Sequence, residues 1–278
     1  MSHTLSGTLA GFPPSGRGWP EVAFGETALE GRLPGSRSSS KIVCGQLPNR
    51  RPTGPDPTRP KSDADPPEDA MAYLGSVPVE KFLEGISRFQ KDVYPRHQDL
   101  FEKLAMGQRP EALFITCADS RIDPCLLTQT KPGELFICRV IGNVVPPYPD
   151  ALGGVSATIE YAVGVLRVPE IIVCGHTDCG VMRGALHPEA LEAYPNVIAW
   201  LRYAQVEHRE AEPSAEFLLA LTEDNVVAQL KHLRSHPTVA ARLEQGDLAL
   251  HGWVYHIGPG TVTAYDEASR KFATTASV

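Results

Sequence analysis

The chain has 278 residues, enough for one large domain or two small ones, and 42% of them are hydrophobic, so a sizeable core can form. A formal net charge of -7 argues against a nucleic-acid partner held through phosphate contacts, and no apolar run reaches the roughly 18 residues that a membrane span needs. Six cysteines are too sparse for a disulfide-stapled secreted scaffold, which fits reduced thiols in a cytosolic setting.

Residues 1–70 are crowded with Pro, Gly, Ser and Arg and show no lasting apolar period. Such a segment cannot bury enough apolar surface to offset its ordering entropy, so a disordered tail is expected there and a folded domain over 71–278. Its eight Lys and Arg balance eight Asp and Glu, which leaves the net charge to the remainder. A translation start at Met71 and a regulatory docking tail are alternative readings. There is no basic start followed by a continuous apolar stretch, and Glu21, Glu26 and Glu30 are unlike a transit peptide, so the expected location is cytoplasmic.

From residue 79 the pattern becomes regular. Val79, Phe82, Leu83, Ile86 and Phe89 recur at helical spacing, and Pro95 ends the run. A second short helix is predicted over 97–106. Strands and helices then alternate. Residues 112–116 form an apolar run ending at Cys117, 134–139 form another, and 154–166 read as a helix with Val155, Ile159, Ala162 and Val163 on one face. A third strand, 170–174, stops just before His176, and 195–208 and 214–235 read as helices. Residues 249–257 and 261–265 flank Gly258-Pro259-Gly260 as a terminal hairpin. The order predicts an α/β fold, a mostly parallel central sheet flanked by helices on both faces, with an N-terminal helical arm and a C-terminal β-hairpin.

Two short motifs carry the chemistry. Cys117-Ala118-Asp119-Ser120-Arg121 and His176-Thr177-Asp178-Cys179 both lie just past the carboxyl ends of predicted strands, where open α/β sheets place their ligands. Two thiolates and one imidazole suit zinc. Structural zinc is normally closed by four protein ligands, whereas catalytic zinc keeps a position for water or substrate, so a set of three points to an enzyme. Cys125, Cys138 and Cys174 are rivals for a fourth ligand, Cys174 the foremost because it stands two residues from His176, although buried free cysteines are commonly plain packing. Cys44 falls in the tail. No Gly-x-Ser-x-Gly elbow surrounds Ser120, which argues against covalent catalysis there. His97, His187, His208, His232, His236 and His251 are scattered, and one of them could shuttle protons.

The two motifs resemble the zinc motifs of the β-class carbonic anhydrases. The resemblance runs from about residue 78 to the C-terminus and takes in Gln108, Gly142-Asn143, Gly153-Gly154-Val155-Ser156-Ala157, Glu160-Tyr161-Ala162-Val163 and His251-Gly252-Trp253-Val254-Tyr255. It is nearest to bacterial members that accompany cyanate degradation. The resemblance implies the β-carbonic anhydrase fold and one Zn2+ per subunit on Cys117, His176 and Cys179. It also implies reversible hydration of CO2 to bicarbonate and a proton, by attack of zinc-bound hydroxide that Asp119 orients and Arg121 keeps in place. Gln108, Phe136, Ile141, Gly154 and Tyr161 match positions at the substrate pocket. In the family a second subunit completes this pocket, which implies a homodimer or a higher even-numbered homo-oligomer. Phe136 and Ile141 are equally ordinary as core residues.

Some family members swing this Asp onto zinc as a fourth ligand, in a closed state that goes with a Trp three residues before the first Cys. Here that residue is Phe114, so Asp119 is expected off the metal. Two departures stand out. Val140 replaces a frequent Asn after Arg139, and His256 replaces an Asp after Gly252-Trp253-Val254-Tyr255. A zinc protein without catalysis, and a sister hydrolase acting on CS2 or a similar linear molecule, are the rival functions.

Overall fold

The structure is a computed structural model and describes residues 79–150, 153–204 and 214–275. The expected tail over 1–70 and the end of the helix predicted to reach 208 lie outside the described residues. Among the described residues six strands form one mixed sheet: β1 (Ala112–Thr116), β2 (Leu135–Arg139), β3 (Glu170–His176), β4 (Ala249–His256), β5 (Thr261–Asp266) and β6 (Lys271–Thr274). Their order is β2-β1-β3-β4-β5-β6. The first four strands are parallel, and β5 and β6 return antiparallel. The α/β expectation holds, and the terminal hairpin gains a third strand, β6. The third parallel strand runs two residues further than predicted, so that His176 is its last residue rather than part of the following loop.

The helices in chain order are α1 (Val79–Arg88), α2 (Gln98–Ala105), α3 (Pro124–Thr128), α4 (Gly154–Glu160), α5 (Gly180–Leu186), α6 (Pro195–Leu201), α7 (Ala215–Ser235) and α8 (Pro237–Glu244). The helical path after α4 continues as a π-helical turn over Tyr161–Val165. Pro95 does not stop the N-terminal run, because α1 passes through a π turn, Phe89–Val93, into a 3-10 turn, Tyr94–His97. Pro95 sits in the first positions of that turn, where the missing N–H costs nothing. Phe89, Tyr94 and Phe101 pack ring on ring with centroids 5.4 to 6.2 Å apart.

β1 and β3 are the sheet's centre and are buried almost throughout, as parallel strands covered on both faces should be. Leu113, Ile115, Ile171, Val173 and Val254 point to one face and pack against Ile159 and Val163 from α4 and its continuation, Val226, Leu230 and Leu233 of α7, and Val239 of α8. Phe114, Ile172 and Cys174 point to the other, where Ile122, Leu127, Trp253 and Tyr255 meet them. The cover is thus uneven, because on this second face the packed helical contribution is Leu127 of the short α3.

α7 fixes the depth of the site. Ser214 caps it, its Oγ accepting from Phe217 N at 3.1 Å. The helix lies so close to the sheet that a Cβ on Gly175 would stand 2.9 Å from Thr222 Cγ2 and from Val226 Cγ2. Glycine next to His176 is therefore what lets α7 press on the end of β3.

Candidate active site

β1 and β3 pair in parallel with Thr116 opposite Cys174, so the loops that follow them leave the same edge of the sheet side by side. Cys117 comes directly after β1, His176 closes β3, and Cys179 is the residue that enters α5. The predicted meeting of the two motifs is what the structure shows. One ligand atom from each of Cys117, His176 and Cys179 lies within 4.8 Å of the others, and all three residues are buried. Among the described residues no other group of three or more potential metal ligands is found.

The donors are preset. His176 Nδ1 is 2.9 Å from the Thr177 carbonyl, which fixes the N–H on Nδ1 and leaves the Nε2 lone pair free. Nε2 is buried and has no hydrogen-bond partner. The two sulfurs stand 3.9 Å apart. The Cys117 sulfur is stabilised as the thiolate chiefly by the hydrogen bond from Cys179, against the cost of burial, with further help from backbone N–H groups. Cys179 is pushed up by the same partner and by burial. One backbone donor is Gly142 N, 3.3 Å from Cys117 Sγ. Gly142 has φ 66° and ψ 16°, and a Cβ there would meet Met182 Cε at 3.0 Å. Both the left-handed backbone and the space require glycine.

Asp119 sits beside the cluster, its Oδ2 3.7 Å from His176 Nε2. Arg121 grips it by both oxygens, with Nε to Oδ1 at 3.0 Å and Nη2 to Oδ2 at 2.7 Å, while the Arg121 backbone N–H reaches Oδ1 at 2.9 Å. The guanidinium holds the Asp119 carboxyl down at about 2, from an ordinary 3.8. Arg121 in turn donates to Asp178 Oδ2 at 3.2 Å and to the Asp178 carbonyl at 2.9 Å, and Arg183 bonds the other Asp178 oxygen.

Three supports escaped the sequence reading. Arg139 donates to the Cys117, Asp119 and Ile122 carbonyls at 3.3, 2.6 and 2.8 Å and so staples the first motif's loop. Asn225 and Gln229 of α7 hold the 142–145 segment, Asn225 Nδ2 donating to the Gly142 carbonyl at 3.0 Å and Val145 N donating to Gln229 Oε1 at 2.8 Å. Trp200 Nε1 donates to the Ile141 carbonyl at 3.1 Å. An arginine at the end of an edge strand and polar residues on the inner face of a long helix were the available signals. The rival fourth ligand falls away, because Cys174 is wholly buried, donates to the Gly175 carbonyl at 3.4 Å and is pushed up to about 12 by burial.

A carbonic anhydrase family model matches residues 112–262. A carbonic anhydrase of Pseudomonas aeruginosa is 50% identical over 204 residues, which cover 71% of this chain and 92% of that protein. The chain belongs to the carbonic anhydrase family. Among solved structures, the β-carbonic anhydrase CcaA superposes with a TM-score of 0.68 at 39% identity, covering 70% of this chain and 98% of that one. A tetrameric β-carbonic anhydrase from Sordaria macrospora superposes with a TM-score of 0.50 at 28% identity, covering 75% and 100%. The β-carbonic anhydrase fold, six mixed strands with flanking helices, is accordingly the fold of this chain.

The expected pocket residues are more dispersed than the metal donors. Phe136 is half-buried, with its ring centroid 5.9 Å from that of Tyr161. Gln108, Gly154 and Tyr161 are exposed, and Ile141 is half-buried beside the Gly142 turn. A cleft of about 410 Å³ is lined by Arg139, Val140, Gly153, Gly154 and Trp200 among others, so Gly154 is the one expected pocket residue on its wall. The two departures from the family pattern are accommodated in place. Val140 N donates to the Thr116 carbonyl at 2.9 Å, and His256 Nε2 meets Thr263 Oγ1 at 3.1 Å.

Proposed function

We propose that this β-carbonic anhydrase, a carbonate dehydratase by family, hydrates CO2 reversibly to bicarbonate and a proton at the Cys117, His176 and Cys179 cluster, with Asp119 and Arg121 as the orienting pair. The observation that carries the reading is the unpartnered, buried His176 Nε2 beside two thiols and a carboxylate held off by arginine.

The residues fit zinc. Two sulfurs at about 2.3 Å from a tetrahedral zinc stand about 3.8 Å apart, close to the 3.9 Å seen here. The third donor is a buried imidazole nitrogen with no hydrogen-bond partner. Zinc, when bound, supplies a Lewis acid that brings the pKa of a water from 15.7 to about 7. Asp119 accepts a hydrogen bond from the attacking oxygen and so aims its lone pair at carbon. Arg121 keeps Asp119 ionised and fixes both carboxylate oxygens. Arg139 holds the loop that carries the pair. With both Asp119 oxygens taken by Arg121, and Phe114 three residues before Cys117, the open arrangement with Asp119 off the metal is the proposed working state.

The assembly is proposed to be a homodimer or a larger even-numbered oligomer. Support comes from the apolar face of α1, where Phe82, Leu83 and Ile86 are each more than half exposed within one subunit, a contiguous apolar face of the kind that marks an interaction surface. The tetrameric neighbour agrees with it. No helix among the described residues is long and apolar enough to cross a membrane. The five described cysteines are free, which supports a reducing compartment such as the cytoplasm. Stopped-flow CO2 hydration by zinc-loaded protein, beside CS2 hydrolysis under the same conditions, tests the reading. Hydration far above background is expected, and hydration at background with active CS2 cleavage would move the chain to the sister activity.

A further inference from the structure

The Ile141–Gly142 peptide carries a hydrogen bond at each end. Its N–H, on Gly142, donates to Cys117 Sγ at 3.3 Å, and its carbonyl, on Ile141, accepts from Trp200 Nε1 at 3.1 Å. A donor on the carbonyl side polarises the peptide and strengthens its N–H as a donor. It also stops the peptide from turning, which matters because Gly142, in the left-handed region, has little of its own to hold it. The next peptide is anchored separately, the Gly142 carbonyl accepting from Asn225 Nδ2 at 3.0 Å, and Asn225 Oδ1 accepting from Gln229 Nε2 at 2.8 Å. The turn is thereby fixed from two sides by two helices, and only the Trp200 side acts on the peptide that touches sulfur.

We propose that Trp200 is a positioning residue for the metal-ligating sulfur of Cys117, acting through the Ile141–Gly142 peptide. The inference rests on Cys117 being a zinc ligand. Losing the indole N–H frees the peptide and weakens the N–H to sulfur bond; the more basic sulfur then gives up its proton less readily to the metal and is less firmly placed, and both effects lower the affinity at neutral pH. Outer hydrogen-bond partners of metal ligands typically change metal affinity by 10–100-fold, and an indirect partner belongs at the low end.

The test uses the full chain loaded with zinc or, separately, with cobalt(II). Trp200→Phe removes the donor and keeps an aromatic ring. A second variant carries a benzothienyl side chain at 200, which keeps the bicyclic shape and lacks only the N–H. Zinc affinity is read by competition with a chelator, the sulfur-to-cobalt charge-transfer band by absorption, and the melting point on metal-free protein. Both variants are expected to hold zinc about tenfold more weakly and to move the cobalt band to lower energy, with the metal-free melting point of the benzothienyl variant unchanged. Wild-type affinity and band position in the benzothienyl variant would overturn the proposal, whatever Trp200→Phe does, since a loss confined to Trp200→Phe reports packing. A native chain that takes up no zinc would instead overturn the proposed function.

Discussion

Cys117, His176 and Cys179 are only 3%, 0% and 4% exposed, whereas Arg121 and Asp178, from the same two loops, keep 43% and 56% of their side chains in solvent. The donors are held by burial and by directed hydrogen bonds from backbone and helix, with α7 pressed against the end of β3. The charged rim is held by ion pairs running Asp119, Arg121, Asp178, Arg183. Exposed ion pairs contribute little to stability. On the proposed function, the rim's worth lies in where it puts the Asp119 carboxylate, and the buried part's worth lies in presenting three metal donors. Damage to the two regions should therefore separate, metal loss from the one and turnover loss from the other.

The largest expected effect is in the buried part. Cys117→Ala or His176→Ala should lose bound zinc, measured by elemental analysis of the purified protein, with CO2 hydration falling to background. Asp119→Ala should retain zinc and lose turnover on the order of a hundredfold or more, the usual cost of removing a well-placed proton acceptor. Zinc loss in that variant would merge the two regions. Gly142→Ala forces a left-handed residue and crowds Met182 Cε at 3.0 Å, so stability should fall by about 1–3 kcal/mol in denaturant titration.

A smaller effect concerns acid. The folded Asp119 carboxyl is depressed to about 2 from 3.8, so its stabilising contribution is present above 3.8 and is lost as pH falls through about 2. In metal-free protein, the stability gap between wild type and Asp119→Asn should close over that window. Asp119 also stays ionised throughout the neutral range, so any loss of activity between pH 8 and 6 should persist in shape when salt weakens the rim. The smallest effect belongs to the N-terminal segment. Deleting residues 1–70 should leave CO2 hydration unchanged, and a large drop would bring that segment into the account.

Much of this was legible in the residues. The strand positions followed from apolar runs bounded by polar turns, and the motifs declared themselves because metal chemistry needs rare residue types at short spacing. The third strand is ended two residues short of His176 in the sequence reading because a glycine, Gly175, interrupts the apolar run, although the strand continues through it to receive α7. Pro95 was misread for a related reason, since proline breaks the interior of a helix and suits the start of another turn. Arg139, Trp200, Asn225 and Gln229 were not legible as supports, because each acts on a backbone group far away in sequence, and such contacts leave no local pattern. The expected pocket residues rest on resemblance alone. Gln108, Gly154 and Tyr161 lie exposed on a single subunit, where neither spacing nor burial marks them.

A structure of the zinc-loaded protein at neutral pH tests the division between donors and rim most directly. The account predicts zinc on Cys117 Sγ, His176 Nε2 and Cys179 Sγ, with Asp119 still paired to Arg121 through Nε and Nη2. Asp119 bound to zinc with the Arg121 pair broken would contradict it.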